Sequence, residues 1–184
     1  MSEQEIEQIL TLQRPTTTDT VIWSMYWERQ GQPWRTQPEI DAERQKYLEQ
    51  RRHRLFKENK FIDPLMDIQL SRADIEWLLA THEHGRGPLD WNDVEQRQRK
   101  GLHLHKADLR KVDLSNLPLA NADLGDAHLE GATLNSAHLE NANLARAHLE
   151  HANLSLAHLE DALLIDAHLE GGNLIGSHLG TSEN

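Results

Sequence analysis

The sequence predicts an α+β chain: a mostly helical first hundred residues, followed by a solenoid of square coils. Three observations carry this reading. Leucine recurs every five residues without a gap from Leu104 to Leu179. Two positions before each stands a small or apolar residue, from Leu102, Ala107 and Val112 at the start to Gly172 and Ser177 at the end. Every aromatic residue, from Trp23 to Trp91, lies in the first half, so the two halves build their cores from different chemistry.

A period of five fits neither regular element. On a helix, steps of five spiral around the axis and bury no single face. On a flat strand, successive leucines point to opposite sides. The period suits a chain that turns a corner once per unit, with the leucine and the small residue two before it pointing inward. Four sides close a square coil, and such coils stack. The units themselves, such as Ala107-Asp108-Leu109-Arg110-Lys111, Ala127-His128-Leu129-Glu130-Gly131 and Ala142-Asn143-Leu144-Ala145-Arg146, resemble those of the bacterial pentapeptide-repeat protein family. The resemblance covers residues 102–181 in sixteen units of one register. It implies a right-handed quadrilateral β-helix with four units per coil, about four coils and about 19 Å of height at the spacing of stacked strands.

The first hundred residues read as helices and turns that cap the open end of this solenoid, since exposed edge strands and an open core need a cover. A helix is expected over about 19–29, with Ile22, Trp23, Met25, Tyr26 and Trp27. A second is expected over 37–59, capped by Thr36, with Pro38 in its first turn, Glu39 as capping-box partner, and Ile40, Tyr47, Leu48, Leu55 and Phe56 at helical spacing. A third runs from its cap Ser71 through Ile75, Leu78 and Leu79 to Gly85. Trp34 and the Gly87–Trp91 turn add apolar surface. The stretch from Leu70 to Trp91 resembles N-terminal extensions of bacterial pentapeptide-repeat proteins, a likeness that brings no activity with it. The expected organisation is a helical capping region at 1–101, the β-helix at 102–181 and a tail at 182–184.

Composition narrows the function. With no cysteine there is neither a disulfide framework nor a Cys-based zinc site. No apolar run approaches the length of a membrane helix, and the acidic start MSEQEIEQIL is unlike a secretory signal, so the expected location is the cytoplasm. The formal charge of −11 argues against direct nucleic-acid binding and for a protein partner, a basic one above all. Residues 112–184 carry eleven acids and one base, Arg146. The cluster Arg51, Arg52, His53, Arg54, Lys57 and Lys60 is interleaved with acids and reads as a solvated helix face.

With four units per coil, residues twenty apart stand above one another. His128, His148 and His168 form a column beside Glu130, Glu150 and Glu170. On the opposite face His138, His158 and His178 stand beside Glu140 and Glu160. These two faces are the candidate partner surfaces, and protonation of the histidines near pH 6 is expected to relieve repulsion within the Glu columns. Lys106, Asp126, Arg146 and Asp166 form a corner column of alternating sign. Exposed aliphatics, Leu156, Leu163, Ile165 and Ile175, gather toward the last coils, where pairing with a second copy would cover them. His103 and His105 read as exposed edge residues, with Asp123 above His103. His82-Glu83-His84 lacks the i, i+4 histidine pair of a zinc-protease helix and reads as a helix end.

No nucleophile–base set, phosphate loop, metal centre or cofactor motif is present in the sequence, so no catalytic residue is assigned and an enzyme is not expected. The leading expectation is a non-catalytic binding or scaffold protein using its acidic faces. The alternative is a DNA mimic that binds or protects DNA gyrase or topoisomerase, as some members of the resembling family do. Against it stand the short rod, a leucine column without phenylalanine, and an end at Asn184 without a dimerising helix. Metal binding through the His columns is the second alternative.

Overall fold

Leucine, alanine and a corner residue repeat in space as they do in sequence. The computed structural model describes residues 13–52, 56–57, 60–61, 63–66 and 68–180. Its N-terminal part holds α1 (Thr20–Arg29), α2 (Ala42–Arg52), the paired strands β1 (Phe56–Lys57) and β2 (Lys60–Phe61), and α3 (Arg72–Ala80), followed by the one-turn segment His82–Gly85. From His103 onward the chain makes parallel bridges between residues twenty apart, from His103↔Asp123 to His158↔His178.

Each side of a coil follows one rule. The leucine N–H donates to a carbonyl nineteen residues on, as Leu109 does to His128 at 2.8 Å. A four-residue turn then closes the corner, as where the Ala107 N–H meets the Leu104 carbonyl at 3.0 Å. The third turn residue is left-handed every time, from Lys106 (φ 56°) to Gly176 (φ 70°). Asparagine, aspartate and glycine tolerate that region best, which explains Asn116, Asn121, Asp126, Gly131, Asn141, Asp161, Asp166 and Gly171 at the corners. Inside, leucines 104 to 159 and the alanines before them are buried almost completely. Four faces result, which we number by their leucines: face 1 (Leu104, Leu124, Leu144, Leu164), face 2 (Leu109, Leu129, Leu149, Leu169), face 3 (Leu114, Leu134, Leu154, Leu174) and face 4 (Leu119, Leu139, Leu159, Leu179).

The N-terminal part meets the upper edge of this coil in three different ways. On face 2, Asp108 donates its N–H to the Ile68 carbonyl at 3.3 Å and accepts from the Leu70 N–H at 3.0 Å. These are the bonds a further coil would make. Ile68 and Leu70 also point inward, buried in the same core as Leu104 and Leu109. On face 3, the Arg72 guanidinium donates to the carbonyls of Asp113 and Ser115, at 3.2 and 3.1 Å. On face 4, the edge position bridged to His138 one coil below is Pro118, which has no N–H to leave unpaired; the His138 N–H itself donates to the Leu117 carbonyl. Beside it Asn121 donates to the carbonyls of Arg97 and Arg99. Gly101 is required here, since a Cβ would stand 2.3 Å from the Asn121 backbone.

Three sequence expectations need correction. The helix placed at 37–59 is shorter: α2 begins after Asp41, whose carboxylate accepts from the Arg44 N–H at 2.8 Å, and Phe56 lies in β1. Thr36 is not its cap. The N–H groups of Thr36 and Gln37 both donate to the fully buried Glu76, at 2.9 Å each, and Glu39 pairs with Arg35. The helix at Ser71 has the expected cap, as a full capping box with Asp74, but ends at Ala80, and Glu83 and His84 beyond it are left-handed. The basic cluster is not a solvated face where it is described: Arg51 donates to the carbonyls of Pro64 and Met66, and Arg52 to Thr81. His53, Arg54, Leu55 and Glu58 lie outside the described residues, as does the tail at 182–184. The first helix agrees with expectation: Asp19 caps α1, and Ile22, Trp23 and Trp27 are its buried residues.

Candidate functional site

The repeat places a His just before, and a Glu just after, an inward leucine. Both therefore lie on the same face two residues apart, within reach of each other. On face 4 the Nδ1 of His138 donates to Glu140 Oε1 at 2.9 Å. On face 2 His128 does the same to Glu130 at 3.2 Å, and His148 to Glu150 at 3.3 Å. The wider pairs are His158 with Glu160 at 3.5 Å and His178 with Glu160 at 3.7 Å. Coil stacking then brings the imidazoles face to face. Ring centroids are 5.0 Å apart for His128–His148 and 4.8 Å for His148–His168, and 4.7 Å for both His138–His158 and His158–His178.

The columns are thus ordered as the sequence predicts, but their layering is not. The histidines are the outer layer. The glutamates fold back against the coil, and one oxygen each of Glu130, Glu140, Glu150 and Glu160 is buried without a hydrogen-bond partner. Face 4 hides its acid most, with the Glu140 side chain only 5% exposed. Face 2 keeps Glu130 and Glu150 about a third open, at 34% and 29%, and Glu170 is exposed. Sequence periodicity could place these groups on one face. It could not tell that the longer side chain would bend inward.

The electrostatics follow these contacts. The hydrogen bond to Glu140 raises the pKa of His138 against the opposing effect of burial. Burial pushes the Glu150 carboxyl up, but its own N–H and His148 outweigh this and leave it lowered. On face 1 the corner column forms one tight pair: Arg146 grips both oxygens of Asp126, at 2.9 and 2.7 Å, and lowers its pKa. Lys106 turns instead to Asp63 at 3.1 Å. Asp123 stands over His103, 3.0 Å from its Nδ1, and 3.6 Å from His105. Burial works against its charge, yet the His103 hydrogen bond, the Gly125 N–H and both imidazoles together hold it at about 2. His82 and Glu83 also serve the N-terminal part, on the Lys100 carbonyl at 2.7 Å and on Arg99 at 2.7 Å.

Two apolar features complete the surface. Leu156, Leu163, Ile165 and Ile175 are exposed, as expected, together with Leu179. A cavity of about 340 Å³ lies between the N-terminal part and the first coil, floored by Leu65, Leu78, Leu102 and Leu104 and edged by Arg52 and Lys100. Sequence reasoning missed this cavity, because the residues that build it come from four separate segments.

Taken together, the parallel ladder at intervals of twenty, the left-handed corners and the leucine column define a solenoid protein of the β-helix class. Residues 119–147 and 142–180 match the family model of the pentapeptide repeats, in eight copies. Residues 119–180 are thus pentapeptide repeats, and the coil they belong to is a right-handed β-helix. A comparison with curated proteins finds no match. Among solved structures, the chain is similar to a pentapeptide-repeat protein (Rfr23) from the cyanobacterium Cyanothece 51142, at 40% identity over 39% of this chain and 56% of that one, with a TM-score of 0.25. It is similar to HetL of Nostoc sp. strain PCC 7120, a pentapeptide-repeat protein involved in heterocyst differentiation regulation, at 30% identity over 40% of each chain, TM-score 0.24. A third is a pentapeptide-repeat protein from the Arabidopsis thaliana thylakoid lumen, 28% identical over 40% of this chain and 55% of that one, TM-score 0.25. The matched region spans 40–56% of the lengths of these three proteins. Among the described residues no helix is long and apolar enough to cross a membrane.

Proposed function

We propose that this chain is a non-catalytic binding protein that presents face 2 of its β-helix to a basic protein partner. The observation that supports this most is the ordered column on that face: imidazoles at 4.8–5.0 Å intervals with Glu130, Glu150 and the exposed Glu170 beside them. A β-helix holds such groups on a rigid backbone, so a partner meets them without ordering cost to the chain. Face 4 has the same pattern but withdraws Glu140, which favours face 2 as the electrostatic surface. In this reading residues 1–101 are a cap over a solenoid of four coils at 102–181, and the cap's strand at Ile68–Leu70 stands in for a coil above the first. The test is capture of partners from a lysate of the source organism by the chain and by a Glu130→Gln, Glu150→Gln, Glu170→Gln variant. A partner released by salt and lost with the variant supports the proposal. Recovery of the same proteins by both rejects face 2.

The balance of eleven acids against one base in residues 112–184 also favours a second reading, DNA mimicry toward gyrase or topoisomerase. A supercoiling assay with and without a quinolone separates the two. Absence of both inhibition and protection rejects mimicry and leaves the scaffold reading standing.

A further inference from the structure

On face 4, near the last described coil, the His–Glu pattern changes in a way that points to a ligand. The pair His138–Glu140 is hydrogen-bonded, Nδ1 to Oε1, at 2.9 Å. At Glu160 neither neighbour comes within hydrogen-bonding distance. Its Oε1 lies 3.5 Å from His158 Nδ1 and 3.7 Å from His178 Nδ1, while its Oε2 is buried without a partner. One carboxylate thus stands between two imidazoles from successive coils, with all three ligand atoms within 4.8 Å of one another.

We infer that His158, Glu160 and His178 form a binding site for a transition-metal dication of the zinc class. Ligand atoms around a tetrahedral ion with bonds of about 2.0–2.1 Å stand about 3.3 Å apart, so the two N···O separations are already within a few tenths of an ångström of that spacing. Two imidazoles and one carboxylate suit Zn²⁺, Ni²⁺ or Cu²⁺, and not the all-oxygen preference of Ca²⁺ or Mg²⁺. The remaining coordination positions open into a depression of about 400 Å³ lined by Glu160, Ser177, His178 and Gly180, where water completes the shell.

Ring orientation sets the one movement that binding requires. Parallel stacked imidazoles cannot both aim an in-plane lone pair at one ion. His138 and His158 are tilted by only 4°, whereas His158 and His178 are tilted by 20°, the widest angle among the stacked histidines. The His178 side chain is 54% exposed and has room to turn further. The bound ion would tie together two coils twenty residues apart in sequence. It is an activity separate from partner binding on face 2.

The experiment uses the full chain, stripped of metal with a chelator, at neutral pH. Zn²⁺ is titrated by calorimetry, and Co²⁺ is followed by its visible absorption as a report of coordination geometry. The expected result is saturable binding of Zn²⁺ and a tetrahedral Co²⁺ spectrum, with no response to Mg²⁺. Affinity falls at least about tenfold in His178→Ala and in Glu160→Gln, and is unchanged in His128→Ala on the opposite face, a histidine outside every cluster of three such ligands among the described residues. Both test positions lie at the surface end of the coil, and far-UV circular dichroism checks that each variant is folded. Absence of heat and of a Co²⁺ spectrum overturns the site. So does a His178→Ala, Glu160→Gln pair that binds as tightly as the parent chain, since the ion would then be held elsewhere.

Discussion

Glu76 shows how one side chain can hold the N-terminal part to the coil. It is fully buried, yet accepts from the Thr36 and Gln37 N–H groups, the Thr36 hydroxyl and the Arg72 guanidinium at 2.8–3.0 Å. Arg72 in turn donates to two carbonyls of the first coil. Removing the acid strands a nearly buried guanidinium and two backbone donors. Glu76→Ala is expected to destabilise the chain by about 3–5 kcal/mol, read from the urea midpoint. Leu156 is the opposite case. It is an exposed leucine in a left-handed corner at φ 58°, where its Cβ crowds the following carbonyl. Leu156→Asn should therefore stabilise, by up to about 1 kcal/mol, and an unchanged or lower midpoint would contradict the strain. The contacts of Glu76 with Thr36 and Gln37 were not legible from the sequence, because they join residues about forty apart with no spacing rule to connect them; only its pairing with Arg72 follows the i, i+4 spacing of a helix.

At the scale of elements, the coil was legible, and the bounds and contacts of the N-terminal elements were not. A strict period reports its own geometry: each leucine of the five-residue series from Leu104 to Leu159 is buried, as a corner repeat requires. The helix at 37–59 failed because apolar spacing was extended across a break, at which the chain turns into the β1–β2 pair. The strand Ile68-Gln69-Leu70 has the inward–outward–inward pattern of a repeat unit, but it stands out of register with Leu104, so the periodic count passed over it. The His–Glu columns were legible as columns, while their inward-folded acids were not, since folding back depends on side-chain packing. The columns carry a pH prediction. His138 has a folded pKa raised by Glu140, so its contribution is complete below the unfolded value of about 6.5 and is lost as pH rises through the folded one. Glu140→Gln should then lower the melting temperature more at pH 6 than at pH 9, and should return the His138 NMR titration toward the ordinary range. An equal loss at both pH values would mean that the pair is not electrostatic. Asp123 acts in the other direction: held at about 2, it stabilises above about pH 4 and ceases to do so as pH falls through 2.

For the molecule as a whole, a net charge of −11 is sorted rather than spread. The N-terminal part spends its arginines internally: Arg44 on Asp74, Arg51 on Pro64 and Met66, Arg72 on Glu76, Arg99 on Glu83. The coil keeps a single base beyond Lys111 and sets its acids in columns. Beside the histidines, Glu140 is the acid covered on face 4, while Glu130 and Glu150 stay more open on face 2. That asymmetry is what turns a regular solenoid into a candidate docking surface with one preferred side. The direct test is quantitative binding to whichever partner the chain captures, comparing Glu130→Gln, Glu150→Gln, Glu170→Gln on face 2 with Glu140→Gln, Glu160→Gln on face 4. We predict a large loss of affinity and of salt dependence for the face 2 variant and little change for the face 4 variant. Equal affinity for both variants and the parent chain would contradict the account.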